Sequence, residues 1–107
     1  MTSEATILVL TTEADLEKAE ALAEAALQQG LAACVALKAV HSLYLWKGEL
    51  ERSNEVQLLF KTSPACLEQL EALVRTQHSY DTPQWLHWPA TASGDYAAWL
   101  KECCATN

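Results

Sequence analysis

Residues 31–61, LAACVALKAVHSLYLWKGELERSNEVQLLFK, have the pattern of one long β-hairpin. The first half, from Leu31 to Trp46, is predicted to form one long strand. Lys47-Gly48 predicts a tight turn, after which residues 49–61 return as the antiparallel partner. These two strands lie at the centre of the predicted element order.

A strand and a helix are predicted before the hairpin. Residues 6–11, TILVLT, are short, β-branched and apolar on both alternating faces, which is typical of a central strand. A helix follows to about Gln29, and Thr12 with Asp15 three residues later resembles the capping box that starts a helix. Gly30 is the expected left-handed stop of this helix.

Two helices and a short strand are predicted after the hairpin. Ser63-Pro64 is expected to open a helix, with serine as N-cap and proline at the first helical position, and the helix ends near His78. A short strand is predicted at Trp85 to Trp88. Ser93 is expected to cap a last helix.

The predicted order is β-α-β-β-α-β with an extra C-terminal helix. This is the ferredoxin-like split βαβ arrangement, an α+β fold in which two helices cover one face of an antiparallel sheet. Several of the strands are apolar on both faces, and an exposed face of that kind is larger than monomers usually tolerate. We therefore expect another subunit to cover the second face.

Length and composition exclude several classes of protein. A chain of 107 residues is expected to form a single domain, 1–107. The net charge of −7 argues against nucleic acid and anionic membrane surfaces as partners, because both would repel the chain. With three glycines, the sequence has no glycine-rich phosphate-binding loop.

The cysteine pattern and the first residues of the sequence indicate in which cellular compartment the protein is expected. Four cysteines, two of them adjacent and none in a CxxC motif, do not form the pattern of a disulfide framework. No secretory signal is visible near Met1, and the longest apolar run is too short to span a bilayer. We expect a cytoplasmic protein with reduced thiols.

Five segments of the sequence resemble the CutA family, which is named for divalent-cation tolerance. They occur in the family's order along nearly the whole chain: LAACV at 31–35, SLYLWKG at 42–48, KT at 61–62, HSYDTP at 78–83 and YAAWL at 96–100. The resemblance implies a homotrimer similar to the PII signalling proteins, with long hairpins that contact neighbouring subunits and clefts between protomers. It implies no enzymatic activity.

The resemblance also raises the question of a metal site. In some bacterial relatives copper is associated with a cysteine at the end of the first strand and two histidines at the end of the second helix, and the matching positions here resemble Thr11, Gln77 and His78. One imidazole without thiolate or carboxylate neighbours does not make a selective copper or zinc site. A structural contact between His78 and the helix C-terminus is the alternative that we favour.

The residues of the matching segments define a candidate ligand cleft. Lys61, His78, Tyr80 and Thr82 could converge across a subunit boundary, and one cation, one imidazole and two hydroxyls would favour a small anionic or zwitterionic ligand. Tyr44, Trp46 and Trp85 would form the apolar wall, although packing at an oligomer interface is the simpler explanation of most aromatic residues.

Two further clusters have simpler interpretations. The charged residues after the hairpin turn, Glu49 to Glu55, are expected to be a solvated rim with at most a weak divalent-cation site. Cys103 and Cys104 are the most exposed thiols that the sequence predicts, so adventitious binding of soft metal ions is expected there.

The sequence leaves three functional hypotheses. The first is a non-enzymatic, cytoplasmic homotrimer that binds a small molecule or ion in its intersubunit clefts, in a sensing or carrier role. The second is a protein that binds copper or other divalent cations in response to metal ions. The third is an oligomeric scaffold whose clefts hold no ligand. Catalysis finds no support, because no nucleophile and base occur at a recognisable spacing.

Overall fold

The computed structural model describes residues 6–104, and it has an α+β fold. Within those residues, four antiparallel strands form one sheet in the order β2-β3-β1-β4. The elements along the chain are β1 (Thr6–Glu13), α1 (Leu16–Gln28), β2 (Cys34–Trp46), β3 (Glu49–Thr62), α2 (Leu67–Gln77), β4 (Leu86–Ala90) and α3 (Gly94–Cys103). The predicted split βαβ order with an extra C-terminal helix is confirmed.

The start of α1 differs from the prediction. Asp15 is the N-cap, since its carboxylate accepts a 2.8 Å hydrogen bond from the amide of Lys18. Thr12, which was expected to cap the helix, instead lies in β1 opposite Gln57. The strand runs two residues further than its apolar pattern indicates. Gly30 does end α1, with φ at 69°.

Three other boundaries also shift. β2 begins at Cys34 rather than Leu31, because Leu31 and Ala32 are buried in the core before the ladder starts. Ser63 and Pro64 open a short 3₁₀ turn, Pro64–Cys66, and α2 begins only at Leu67. β4 runs to Ala90 and contains Pro89, which is tolerated since β4 is an edge strand.

The core lies between one face of the sheet and helices α1 and α2. Alternate residues of the two central strands point into it, among them Val9, Leu58 and Phe60. Leu70 and Val74 of α2 pack on the same side and are fully buried. The period of two in the strands and the helical spacing in α2 therefore direct their apolar side chains to one layer.

The hairpin extends well beyond this core. Its turn has positive φ at both Lys47 and Gly48, which matches the right-handed twist of the two strands. The last seven pairs, from Val40 opposite Glu55 to Trp46 opposite Glu49, have no neighbouring residue on β1. At about 3.3 Å per residue the hairpin projects roughly 20 Å.

The second face of the sheet and the projecting hairpin expose large apolar side chains. Leu86 on β4 is 51% exposed, Trp46 on β2 is 56% exposed, and Leu45 near the hairpin turn is 75% exposed. The sequence predicts this feature, because two helices cover only one face of strands that are apolar on both.

Candidate functional site

An open groove of about 1000 Å³ lies between the projecting hairpin and the loop that follows α2. β2 and β3 form one wall, the loop forms the other, and Thr12 at the end of β1 lies at the base. The side chains that line the groove are those of Thr12, Val40, His41, Ser42, Tyr44, Trp46, Glu51, Glu55, Gln57, Tyr80, Asp81, Thr82, Pro83 and Gln84.

The charges in this groove are negative. Glu51, Glu55 and Asp81 contribute three carboxylates, and no lysine or arginine occurs among the lining residues of the described chain. Tyr44, Trp46 and Tyr80 lie in the same groove and present aromatic rings, which attract cations through their electron-rich faces. Carboxylates beside aromatic rings favour a cationic ligand over an anionic one.

One hydrogen bond closes the base of the groove by joining its two walls. The Tyr80 hydroxyl donates to Oε2 of Glu55 at 2.7 Å. Burial and the adjacent Glu55 carboxylate raise the pKa of Tyr80, so the phenol stays protonated and remains a donor. The loop is thereby fixed to β3.

A buried carboxylate holds the same loop from beneath. Glu13, at the end of β1, accepts hydrogen bonds from the backbone amides of Ala14 and Ser79 and from the Ser79 hydroxyl. Burial raises the pKa of Glu13, but these hydrogen bonds outweigh it and leave the pKa below its ordinary 4.5. Glu13 therefore stays ionised and fixes Ser79, next to Tyr80.

Both ring nitrogens of His78 form hydrogen bonds that hold the loop in place. Its Nε2 donates to the backbone oxygen of Thr12, and its Nδ1 accepts a 3.0 Å hydrogen bond from the amide of Tyr80. The residue ends α2 as predicted, with its own amide bonded to Val74. Its imidazole, however, bonds β1 rather than the last carbonyls of the helix, so the expected side-chain contact with the helix end is wrong.

The structure brings together four of the seven residues predicted for the ligand cleft: Tyr44, Trp46, Tyr80 and Thr82 line the groove. Lys61 lies opposite Leu8, six positions from Glu55 along β3 and so roughly 20 Å away, with its ammonium 6.0 Å from the Tyr96 ring centroid. Trp85 packs against the core instead. Within one chain the groove therefore lacks the Lys61 ammonium, the positive charge on which the expected preference for an anionic ligand depended.

The residues considered for metal binding do not form a cluster. Thr11 donates its hydroxyl to the backbone of Gln84, Gln77 is exposed, and both nitrogens of His78 have partners. Among residues 6–104 no group of three or more histidine, cysteine, aspartate or glutamate side chains is arranged to hold a metal ion. Any cation in the groove would therefore meet dispersed carboxylates.

The prediction that both adjacent thiols are exposed holds in part for Cys103 and is wrong for Cys104. Cys103 is partly exposed, whereas Cys104 is buried because it packs beside Thr62 and Cys66. Three further residues of the site were not predicted from the sequence: Glu13, Ser79 and Asp81. Glu13 alternates in phase with the buried Ile7, Val9 and Thr11, a signal that predicts its burial.

Comparison with known proteins identifies the family. The family model described as "CutA1 divalent ion tolerance protein" matches residues 7–103. The chain belongs to the CutA1 family. The divalent-cation tolerance protein CutA of Pectobacterium atrosepticum is 40% identical over 97 residues, which cover 89% of this chain and 88% of that protein. The protein of the same name from Yersinia pestis is 42% identical over 97 residues, covering 89% and 82%.

Solved CutA1 structures have the same fold. CutA from Synechococcus elongatus superimposes with a TM-score of 0.92 at 35% identity, covering 98% of this chain and 95% of that one. CutA1 from Oryza sativa gives 0.93 at 29% identity over the whole of both chains. No helix within residues 6–104 of this CutA1-family chain is long and apolar enough to cross a membrane.

Proposed function

We propose that the chain is a non-enzymatic divalent-cation tolerance protein that binds a small cationic ligand in the groove, in a sensing or carrier role. The observation that carries the proposal is the composition of the groove, with three carboxylates, three aromatic rings and no lysine or arginine among its described lining residues. The relatives are named for tolerance to divalent cations rather than for a reaction, which supports it.

The ligand is either a hydrated divalent cation or a small organic cation. The family name favours the first, and the rings of Tyr44, Trp46 and Tyr80 favour the second. Both kinds of ligand carry the positive charge that the carboxylates attract. The affinity is therefore measured with one inorganic and one organic cation, and its dependence on the carboxylates is measured with each. Copper binding, which the second hypothesis from the sequence includes, is a special case of divalent-cation binding.

We propose further that the protein is a homotrimer. The open sheet face supports this, because Leu86, Trp88 and Trp46 would lose their exposed area against a neighbouring subunit. Sedimentation equilibrium at micromolar concentration is expected to give the mass of three 11.8 kDa chains. A stable monomer would contradict the proposal.

A titration with charge-matched variants tests the groove. Calorimetry with Mn²⁺ and with putrescine, an organic dication, is carried out on the intact protein and on the double variant Glu51→Gln/Asp81→Asn. Because each unit charge near 4 Å contributes about 1 kcal/mol even in water, we expect the double variant to bind at least roughly tenfold more weakly.

The control removes the same charge elsewhere. Glu20 and Glu24 are exposed on α1, so Glu20→Gln/Glu24→Gln changes the net charge equally and is expected to leave binding within about twofold. Equal losses in both variants would show that net charge, and not the groove, attracts the ligand.

The cytoplasmic location stays a prediction, since the similar CutA from Archaeoglobus fulgidus is described as periplasmic.

A further inference from the structure

The carboxylates of the groove are spread along its length. Glu55 is already engaged at the base, where it accepts the Tyr80 hydroxyl at 2.7 Å. Glu51 lies on β3 four residues nearer the hairpin turn, roughly 13 Å along the strand from Glu55. Asp81 directly follows Tyr80 on the loop that forms the other wall. The carboxylates of Glu51 and Asp81 therefore lie on opposite walls and towards opposite ends of the groove.

This spacing favours one kind of cation. A metal ion draws its oxygen ligands to about 2.0–2.6 Å and so needs side chains that converge on one point. No three acidic, histidine or cysteine side chains of residues 6–104 are arranged in that way. An aliphatic chain with an ammonium group at each end pairs with two separate carboxylates without moving either of them. The carboxylates of the groove therefore favour an extended organic dication.

Aromatic rings lie on the same face of the hairpin as Glu51. Tyr44 pairs directly with Glu51 across the two strands, and Trp46 is two residues further along β2, so it points to the same face. The Tyr44 and Ser53 hydroxyls are hydrogen-bonded at 3.0 Å, which holds the Tyr44 ring along the surface of β3. An alkylammonium group beside Glu51 therefore also meets a ring, to which its charge is attracted and on which its methylene groups pack.

The chain itself places an alkylammonium group on one of these rings. The Lys47 ammonium lies 5.7 Å from the centroid of the Trp46 ring, within the range of a cation–π contact. Lys47 is in the hairpin turn, so this contact is at the end of the groove near Glu51. The Trp46 ring thus accepts a primary ammonium group, and a ligand that uses the same ring must displace Lys47.

We propose that the groove binds an extended aliphatic diamine or polyamine. One ammonium group of the ligand takes the place of Lys47 on the Trp46 ring and pairs with Glu51. A second ammonium group pairs with Asp81 on the other wall. This choice of ligand depends on the proposed function, the binding of a cation in the groove, and gives the chemical class of that cation. Lys47 is an internal competitor that lowers the affinity.

Calorimetry with two matched amines tests the ligand class. Hexamethylenediamine and hexylamine have the same carbon chain and differ by one ammonium group. We expect the intact protein to bind the diamine at least roughly tenfold more tightly, because only the diamine pairs with both carboxylates. Equal affinities for the two amines would overturn the proposal.

A parallel titration with Mn²⁺ separates this proposal from the proposed function. If Mn²⁺ binds and the diamine does not, the ligand class is wrong while a cation-binding groove still stands. If neither binds, the proposed function fails as well. Binding of the diamine that is at least as tight as that of Mn²⁺ is the expected result.

Lys47→Asn tests the internal competitor. Asparagine tolerates the positive φ of 53° at this position, so the turn is retained. We expect the variant to bind hexamethylenediamine roughly fivefold more tightly, since one cation–π contact no longer has to be displaced. Lys101→Gln removes the same charge at the end of α3 and is expected to change the affinity by less than about twofold. Equal gains in both variants would overturn the competition.

The Trp46→Leu background distinguishes competition for the ring from simple charge repulsion. Without the ring, adding Lys47→Asn is expected to change the affinity for the diamine by less than about twofold. A fivefold gain that persists in Trp46→Leu would show that Lys47 only repels the ligand, and it would overturn the role of the ring. Sedimentation equilibrium checks that each variant keeps the mass of the unchanged protein.

Discussion

The Tyr80 hydroxyl donates a 2.7 Å hydrogen bond to the Glu55 carboxylate, and this bond joins the loop after α2 to the projecting hairpin. The two residues are 25 positions apart, on opposite walls of the groove. Their contact closes the base of the groove, so this charge-assisted bond, together with the bonds of Glu13 and His78, fixes the shape of the candidate site.

Tyr80→Phe is expected to loosen the loop without unfolding the protein. The change removes one hydrogen bond to a carboxylate that is partly in contact with water, and we expect the free energy of unfolding to fall by about 1 kcal/mol. Urea unfolding measures this. Tyr44→Phe is the matched control, because that hydroxyl bonds the neutral, partly exposed Ser53, and an equal loss in both variants would contradict the role of Glu55.

Glu13→Gln is expected to cost more, about 2–3 kcal/mol, because Glu13 is buried and accepts from three donors. A glutamine amide presents N–H groups to some of those donors and cannot replace both carboxylate oxygens. Urea unfolding at pH 7 checks the value. Glu24→Gln on the exposed face of α1 is expected to change stability by less than about 0.5 kcal/mol, and a similar small change for Glu13→Gln would show that the buried network contributes nothing.

The contribution of Glu13 is expected to depend on pH in one direction. Its pKa in the folded protein lies below the ordinary 4.5, so the folded state favours the ionised form. The stabilisation is complete above about pH 4.5 and is lost as the pH falls through the lowered folded pKa. The difference in the free energy of unfolding between the unchanged protein and Glu13→Gln, measured by urea unfolding, should therefore shrink below pH 4.5. A difference that grows on acidification would contradict a lowered pKa for Glu13 in the folded protein.

Much of the fold could be predicted because its signals are local. The Lys47-Gly48 turn, Gly30 at the end of α1 and the alternating strands each depend on a few neighbouring residues. The predicted start of α1 is wrong because two polar threonines and Glu13 end β1 without an apolar signal. Thr12 therefore matched the start of a capping box, with Asp15 as its third residue, although Asp15 itself is the N-cap.

The site was harder to predict because it depends on contacts between distant segments. Tyr80 meets Glu55, and Glu13 meets Ser79 across 66 positions, so no local spacing reveals either pair. The family resemblance grouped four residues that line one groove in the structure, namely Tyr44, Trp46, Tyr80 and Thr82. Within one chain the antiparallel register puts Lys61 at the far end of the sheet, so its approach to them across a subunit boundary stays a prediction.

Copper binding is expected to depend on Cys103 and not on His78. The two nitrogens of His78 are already hydrogen-bonded, whereas Cys103 is a partly exposed thiol. Titration of the reduced protein with Cu⁺ should give weak uptake that Cys103→Ser largely removes and that His78→Ala changes by less than about twofold. Tight binding that disappears in His78→Ala alone, with the fold intact by circular dichroism, would reveal a site that includes this imidazole.

The position of a bound cation on the chain shows whether the groove is the binding site. Substoichiometric Mn²⁺ is added to the isotopically labelled protein, and the broadening of each backbone amide signal is measured by NMR. The signals of Tyr44, Glu51 and Asp81 are expected to broaden first, while those of Cys66 and Leu100 at the opposite end of the sheet stay sharp. Broadening that is strongest along Glu17, Glu20 and Glu24 of α1, or uniform over the chain, would contradict a cation-binding groove.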